Sequence, residues 1–170
     1  MTATRKKFTQ GLCAIIALMM IITSGLITAE AKTISKEKAK SIAIKDAGIK
    51  KSKAVFIETK LKTDDGVKQY DIEFVSGSKS YDYEIKANNG KILEKEVKKI
   101  KNPTKKFITK AKAKKIALKD SGFKKSEVNF KKCKLDIENR YVIYEVEFYK
   151  NSREYEYEIN AKTGKIMSRD

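Results

Sequence analysis

The sequence predicts an α+β fold of two tandem repeats, each a short helix packed on an antiparallel sheet of about four strands. An internal repeat runs through most of the chain without a gap. Within each copy the hydrophobic spacing changes from the three-to-four-residue period of a helix to strict alternation. Hydrophobic residues make up 41% of the chain and charged residues 36%. This is enough apolar material to bury a core, so disorder throughout the chain is not expected.

The amino-terminal residues 1–31 are typical of a secretory signal peptide. Basic residues 5–7 precede a mostly apolar stretch, 12–27, and the small-residue pattern at 29–31 follows it. The apolar stretch is short for a membrane-spanning helix, which needs about 20 residues. We therefore expect cleavage after Ala31 and an exported protein, either secreted or associated with the cell envelope. An uncleaved amino-terminal anchor is the alternative.

Two copies of one unit occupy residues 32–97 and 108–170. Matching segments at one constant offset include Ile34-Ser35-Lys36 with Ile108-Thr109-Lys110, Tyr70-Asp71-Ile72-Glu73-Phe74 with Tyr144-Glu145-Val146-Glu147-Phe148, and Gly90-Lys91-Ile92 with Gly164-Lys165-Ile166. Residues 98–107, with the only proline and several lysines, are predicted to be a linker. A unit of this size buries only about 60% of its unfolded surface, so we expect the two units to pack together.

Each unit begins with a short helix. Ser35 or Thr109 is a suitable N-cap, and Gly48 or Gly122 stands where a helix would end. Between these signals, small and aliphatic residues recur at helical spacing: Ala39, Ile42, Ala43 and Ala47 in the first unit, and Ala113, Ile116, Ala117 and Ser121 in the second. Such small residues predict close approach of the helix to a sheet.

Alternating residues after the helix predict the strands. Large apolar residues and tyrosines share one parity and acidic residues the other, as expected for a sheet with one face in water. An earlier strand is expected near 56–61. Turns are predicted at 64–66, 76–78 and 87–90, the last of them leading into the final strand.

These motifs, in this order, resemble the PepSY domain family. The nearest match is Ala161-Lys162-Thr163-Gly164-Lys165-Ile166, whereas Lys86 and Asn160 stand where the family usually has Asp. The resemblance implies a non-catalytic domain like those in propeptides of thermolysin-type metalloproteases and in exported bacterial proteins, where it is proposed to restrain peptidases. Since no protease domain follows, we expect a free-standing pair of such domains.

Composition excludes several kinds of enzyme. The chain has no histidine, so it lacks the usual Ser-His-Asp or Cys-His nucleophile pair, a His-ligated zinc and an imidazole acid or base. We expect neither catalysis nor a cofactor nor a bound metal. After signal removal Cys133 is the only cysteine, which precludes an intramolecular disulfide. A buried thiol, an intermolecular bridge and a reactive thiol remain alternatives.

The candidate partner-binding residues are carboxylates on the polar parity of the second sheet, namely Glu145, Glu147, Glu156 and Glu158. Their counterparts in the first unit are Asp71, Glu73, Asp82 and Glu84. A solvated sheet face with cross-strand lysine pairs is the simplest interpretation, and cation binding is the alternative. We hypothesise that a protein partner, such as a peptidase, or the other unit docks on this face or on an edge strand.

Lysines on the helices supply a second hypothesis. The chain carries a formal net charge of +17, and Lys110, Lys112 and Lys114 belong to a lysine-rich helix. Such a surface is either simply solvated or attracted to an anionic cell-wall polymer or membrane surface. Nucleic acid matches an exported protein poorly. The favoured function is a non-catalytic exported binding module that inhibits or regulates a peptidase; the alternative is a cell-envelope structural or adhesion protein.

Overall fold

The computed structural model describes residues 32–104 and 106–170. The predicted signal peptide therefore lies outside the described residues. The first repeat contains α1 (Lys36–Asp46), a 3₁₀ turn (Lys51–Lys53), β1 (Val55–Asp64), β2 (Val67–Lys86) and β3 (Ile92–Thr104). The second contains α2 (Lys110–Ser121), a 3₁₀ turn (Lys125–Glu127), β4 (Asn129–Glu138), β5 (Tyr141–Lys150), β6 (Arg153–Asn160) and β7 (Ile166–Arg169). This order confirms the predicted α+β fold of two helix-plus-sheet repeats.

The helices begin at the predicted caps. The side chain of Ser35 accepts a hydrogen bond from the Lys38 backbone N–H at 3.1 Å, and that of Thr109 accepts one from Lys112 N–H at 3.2 Å. At the other end of α2, Gly122 adopts a left-handed φ of 75°. The alanines of the predicted faces, Ala39, Ala43, Ala113 and Ala117, are completely buried. Their small size lets each helix lie close to its sheet.

The second sheet has four antiparallel strands in the order β4-β5-β6-β7. The first is formed by three extended segments in the order β1-β2-β3. Its middle segment spans 20 residues, which would extend about 65 Å if straight. It folds back instead, because the Ala87 N–H donates to the Lys68 carbonyl at 2.8 Å. The chain reverses at the predicted turn, 76–78. Gly77 still pairs with Thr104 of β3, so β2 continues through this turn without a break.

Each repeat has an aromatic core between its helix and its sheet. The Phe74 ring stacks on Tyr81 at 4.8 Å between centroids, and Phe148 stacks on Tyr155 at 5.4 Å. The tyrosine hydroxyls repeat as well: Tyr70 donates to the Ile34 carbonyl and Tyr144 to the Ile108 carbonyl, both at 2.9 Å. A second pair, Tyr83 and Tyr157, donates to Asp46 and Asp120 at the ends of the helices.

A glycine before each final strand touches the helix. Gly90 and Gly164 have φ of 78° and 76°. A Cβ at Gly90 would lie 2.6 Å from Cδ1 of Ile42, and one at Gly164 would lie 2.9 Å from Cδ1 of Ile116. Glycine is therefore required here both by backbone conformation and by helix packing.

Strand β3 joins the two repeats. It extends to Thr104, so residues 98–104 of the predicted linker belong to a strand. Ile100 is 2% exposed and is buried within the apolar core of the second repeat. The Asn102 carboxamide accepts from Val142 N–H at 2.8 Å and donates to the Val142 carbonyl at 2.7 Å. The Asn102 side chain thus connects the end of β3 to the beginning of β5.

Apolar contacts also connect the repeats at one end of the first sheet. Val75 is fully buried in the second repeat's core, and the half-buried Val55 and Ile57 pack against the same cluster. Among residues 32–104 and 106–170, no helix has the length and apolar character needed to cross a membrane.

Candidate functional site

The carboxylates lie on the sheet face opposite the helix, which we call the outer face. In the second repeat, Glu145 of β5 lies opposite Glu158 of β6, and Glu147 lies opposite Glu156. Rows of like charge facing one another across a strand pair are unfavourable unless cations neutralise them. The second outer face therefore depends on its lysines.

Lys132 of β4 supplies the central cation of the second outer face. Its ammonium contacts Glu145 and also Glu147, the latter at 2.9 Å. Hydrogen bonding to these carboxylates raises the pKa of Lys132, and the bond from Lys132 lowers the pKa of Glu147. The Glu145 and Glu147 side chains are only 15% and 13% exposed. This pair is therefore already engaged within the chain.

Glu156 and Glu158 have a different environment. Partial burial, followed by repulsion from neighbouring carboxylates, raises the pKa of both. The carboxylate oxygens of Glu145, Glu147 and Glu156 approach within 4.8 Å of one another, so these three could hold a metal ion. The Lys132 ammonium already contacts two of them. The four predicted partner-binding residues thus share one face, and two are paired with lysine.

The first outer face contains a cavity of about 380 Å³. Ile72 and Tyr83 line it together with seven carboxylates: Glu58, Asp71, Glu73, Asp82, Glu84, Glu94 and Glu96. Lys62 contacts Asp71 and Glu84, each at 3.0 Å. Lys98 contacts Glu96 at 2.6 Å. Negative charge therefore outweighs the positive charge that these two lysines bring.

Glu73 is the most perturbed carboxyl group of this cavity. Its pKa is raised to about 7, first by burial and then by the charges of Asp82, Asp136 and Glu58; Lys134 acts in the opposite direction. Burial also raises the pKa of Asp82. Since Lys134 and Asp136 belong to β4, the cavity lies beside the second repeat. The sequence patterns indicated the carboxylate rows but missed the cavity and the involvement of Glu58, Glu94 and Glu96.

The helix lysines are divided by the structure. Lys110 and Lys112 are exposed, whereas the Lys114 ammonium lies 4.3 Å from the Phe130 ring centroid. The equivalent contact in the first repeat is Lys40 over Phe56, at 4.9 Å. Lys114 thus covers an aromatic ring while its charge stays near water.

Cys133 lies on the helix-facing side of β4 and is half buried. Its Sγ is 3.9 Å from the Lys110 carbonyl oxygen, and burial raises the pKa of its thiol. A raised pKa disfavours the nucleophilic thiolate. This environment favours the buried-thiol interpretation over the reactive one.

Comparisons with known proteins match both repeats. The family model for PepSY, described as "Peptidase propeptide and YPEB domain", matches residues 33–96 and 107–170. The uncharacterized protein Spy1430 of Streptococcus pyogenes serotype M6 is 40% identical over 68 residues, which are 40% of this chain and 52% of that protein. The chain thus spans about half the length of this relative.

Two solved structures are also similar. A crystal structure from Clostridium difficile 630, described as that of a lipoprotein, has a TM-score of 0.39 and 19% identity, covering 85% of this chain and 97% of that one. The Bacillus megaterium YpeB C-terminal domain has a TM-score of 0.42 and 18% identity, covering 82% and 66% of the two chains.

Proposed function

The chain belongs to the PepSY family, and on that premise we propose that it is a non-catalytic exported module that binds and regulates a peptidase. The description of the family names peptidase propeptides, and domains of this family are generally non-catalytic. Binding without chemistry also agrees with a sequence that has no histidine. The proposal concerns an interaction surface rather than a reaction.

The observation that carries this proposal is the acidic outer face of the first sheet. The helices pack on the opposite side of each sheet, so they do not cover the carboxylate rows. Glu58, Glu94 and Glu96 are exposed around the cavity. A concave surface of one charge beside an otherwise basic chain is suited to select a partner by electrostatic complementarity.

The test uses residues 32–170 as a purified protein. It is added to peptidases purified from the culture medium of the source organism, and hydrolysis of a quenched fluorescent peptide is followed. We expect inhibition that saturates at one-to-one stoichiometry, with a complex visible on size-exclusion chromatography. The absence of both inhibition and complex formation with every exported peptidase would refute the proposal.

Reversal of the second outer face tests the predicted partner-binding residues. The variant Glu145→Lys/Glu147→Lys/Glu156→Lys/Glu158→Lys should weaken partner binding by about 2 kcal/mol or more if these charges are buried in the complex. Circular dichroism must first show that the variant retains its fold. Unchanged affinity in a folded variant would place the interface elsewhere.

A second candidate function follows from the exposed Lys110 and Lys112. In this alternative the chain is an envelope protein held on an anionic phosphate-containing wall polymer. Polymer retention should collapse between 50 and 500 mM salt, since the screening length falls below about 10 Å above 0.1 M. Lys110→Glu/Lys112→Glu/Lys114→Glu should abolish retention, and the four-glutamate reversal should not. The opposite pattern would favour the protein partner.

A further inference from the structure

The outer faces differ at two equivalent positions. Both first strands contain a bulge, between Phe56 and Glu58 in β1 and between Phe130 and Lys132 in β4. Directly after it, Glu58 pairs with Glu73, whereas Lys132 pairs with Glu147. Glu58 therefore occupies the position that Lys132 occupies in the second repeat. Further along the strands, Lys62 in β1 corresponds to Asp136 in β4.

This exchange changes what the carboxylates hold. In the second repeat, the Lys132 ammonium lies between Glu145 and Glu147. The equivalent carboxylates of the first repeat are Asp71 and Glu73. Asp71 is paired with Lys62, but no ion pair is found for Glu73 among the described residues. At this position the second repeat holds the Lys132 ammonium between two carboxylates, whereas the first repeat has a cavity.

Several carboxylates of the cavity lack a neutralising cation. Within the described chain, Glu58, Asp82 and Glu94 also have no ion pair within 4.0 Å. One Oδ of Asp71 is buried without a hydrogen-bond partner. The raised pKa of Glu73, at about 7, has the same cause, because burial and neighbouring carboxylates both oppose its charge. An added cation would relieve each of these costs.

We propose that the cavity of the first repeat receives a lysine side chain of a partner protein, which takes the place that Lys132 takes in the second repeat. This inference rests on the proposed function and names the chemistry of its partner. The occupant is an ammonium because the equivalent carboxylates already bind one within this chain.

A metal ion fits the cavity less well. Calcium requires six to eight oxygens at about 2.3–2.6 Å. Among the described residues, the one group of three acidic side chains with oxygens within 4.8 Å lies in the second repeat, around Lys132. The carboxylates of the first cavity are more widely spaced. Such spacing suits a long side chain that ends in several hydrogen-bond donors.

The test measures fluorescence anisotropy of a dye-labelled hexalysine peptide with residues 32–170. Hexa-acetyllysine is the uncharged control peptide. Glu58→Lys should weaken hexalysine binding at least tenfold, because it restores the second repeat's arrangement. Glu37→Lys on α1 makes the same charge change away from the sheet and should alter affinity less than twofold. Glu58→Gln, which adds no charge, should give an intermediate loss and serves if Glu58→Lys is unstable.

A charge-neutral exchange locates the site. Glu58→Lys/Lys132→Glu keeps the net charge and should move binding to the second repeat. Carbodiimide cross-linking followed by mass spectrometry should then join hexalysine to Glu145 or Glu147, instead of to Glu73 or Asp82 as in the unmodified chain. Cross-links that remain in the first repeat would overturn the inference.

Three further results would overturn the inference, and none of them would refute the proposed function. The first is equal weakening by Glu58→Lys and Glu37→Lys, which would indicate general charge attraction. The second is displacement of hexalysine by 1 mM calcium with one ion bound per chain, which would indicate a metal site. The third is full peptidase inhibition by a folded Glu58→Lys variant. Conversely, loss of the proposed function alone would appear as hexalysine binding without inhibition of any exported peptidase.

Discussion

The two repeats have nearly the same scaffold but different charged surfaces. Tyr70 and Tyr144 make the same hydrogen bond, and Gly90 and Gly164 make the same close approach to a helix. In contrast, the position after the bulge is acidic in one repeat and basic in the other. Core and turn geometry tolerate little change, whereas a half-exposed strand position can reverse its charge. The repeats therefore share a fold while presenting different surfaces to a partner.

Their connection is also asymmetric. β3 pairs with β2 up to Thr104 and also contacts the core of the second repeat through Ile100, whereas its counterpart β7 pairs with β6 of its own sheet. The shared core predicts that the repeats unfold together.

The largest expected effect comes from removing the central phenylalanines. Phe74→Ala and Phe148→Ala should each cost about 3–5 kcal/mol, because both rings are fully buried and stacked on tyrosines. Chemical denaturation followed by circular dichroism should show one transition, shifted in both variants. The control variant is Lys40→Ala, which removes a side chain from one face of the Phe56 ring and should have only a small effect on the free energy of unfolding. Two separate transitions would show that the repeats fold independently.

The next effect tests the connection itself. Asn102→Ala should cost about 2–3 kcal/mol, since it leaves the buried Val142 N–H without its acceptor. Asn88→Ala, at an exposed turn position, should change the free energy of unfolding by less than about 0.5 kcal/mol. A cost for Asn102→Ala no larger than that of Asn88→Ala would mean that β3 does not stabilise the second repeat.

A third prediction concerns the shared glycines. Gly90→Ala should cost about 2 kcal/mol, because it combines left-handed backbone strain with contact against Ile42. Gly66→Ala has a similar φ of 75° but no heavy atom within 4 Å, so it should cost only about 1 kcal/mol. Equal costs, measured by denaturant titration, would show that the helix contact yields without penalty.

The sequence predicted the scaffold because its signals are local. The N-caps at Ser35 and Thr109, the alternating strands and the glycine turns each depend on a few neighbouring residues. Within the predicted linker, residues 98–104 form a strand for a tertiary reason. Ile100 and Asn102 lie in a lysine-rich segment with a proline. Their strand depends on the pairing of β3 with β2 and on contacts with the second repeat, which neighbouring residues do not reveal. The spacing of two residues between Ile100 and Asn102, which puts both side chains on the same face of a strand, is the sequence signal that could have predicted it.

The cavity could not be predicted from the similarity of the repeats, because it arises from a difference between them. The repeat comparison paired the carboxylates correctly, but it emphasised matching residues. The informative mismatch was Glu58 against Lys132, which lies in the strand whose pattern is least regular. The approach of Asp136 and Lys134 to Glu73 required the folded arrangement.

The smallest predicted effect is an opposite pH response of two equivalent glutamates. The pKa of Glu73 is raised to about 7 by burial, with repulsion from Asp82, Asp136 and Glu58 outweighing attraction from Lys134. Its folded state therefore binds the proton more tightly than the unfolded state does. The resulting stability is present below pH about 4.5 and is lost as the pH rises to about 7.

Glu147 has the opposite sign, because Lys132 lowers its pKa in the folded state. Its contribution is present above the unfolded pKa and is lost as the pH falls through the folded pKa. Glu73→Gln should therefore stabilise the protein at pH 8 by about 1 kcal/mol and flatten the stability profile between pH 4.5 and 7. Glu147→Gln should destabilise at pH 8, since the charged partner of Lys132 is removed, and should leave that part of the profile unchanged. Denaturant titrations at four pH values measure both profiles. If both variants showed the same pH response, the difference between Glu58 and Lys132 after the bulge would not be what sets the pKa values of the two outer faces apart.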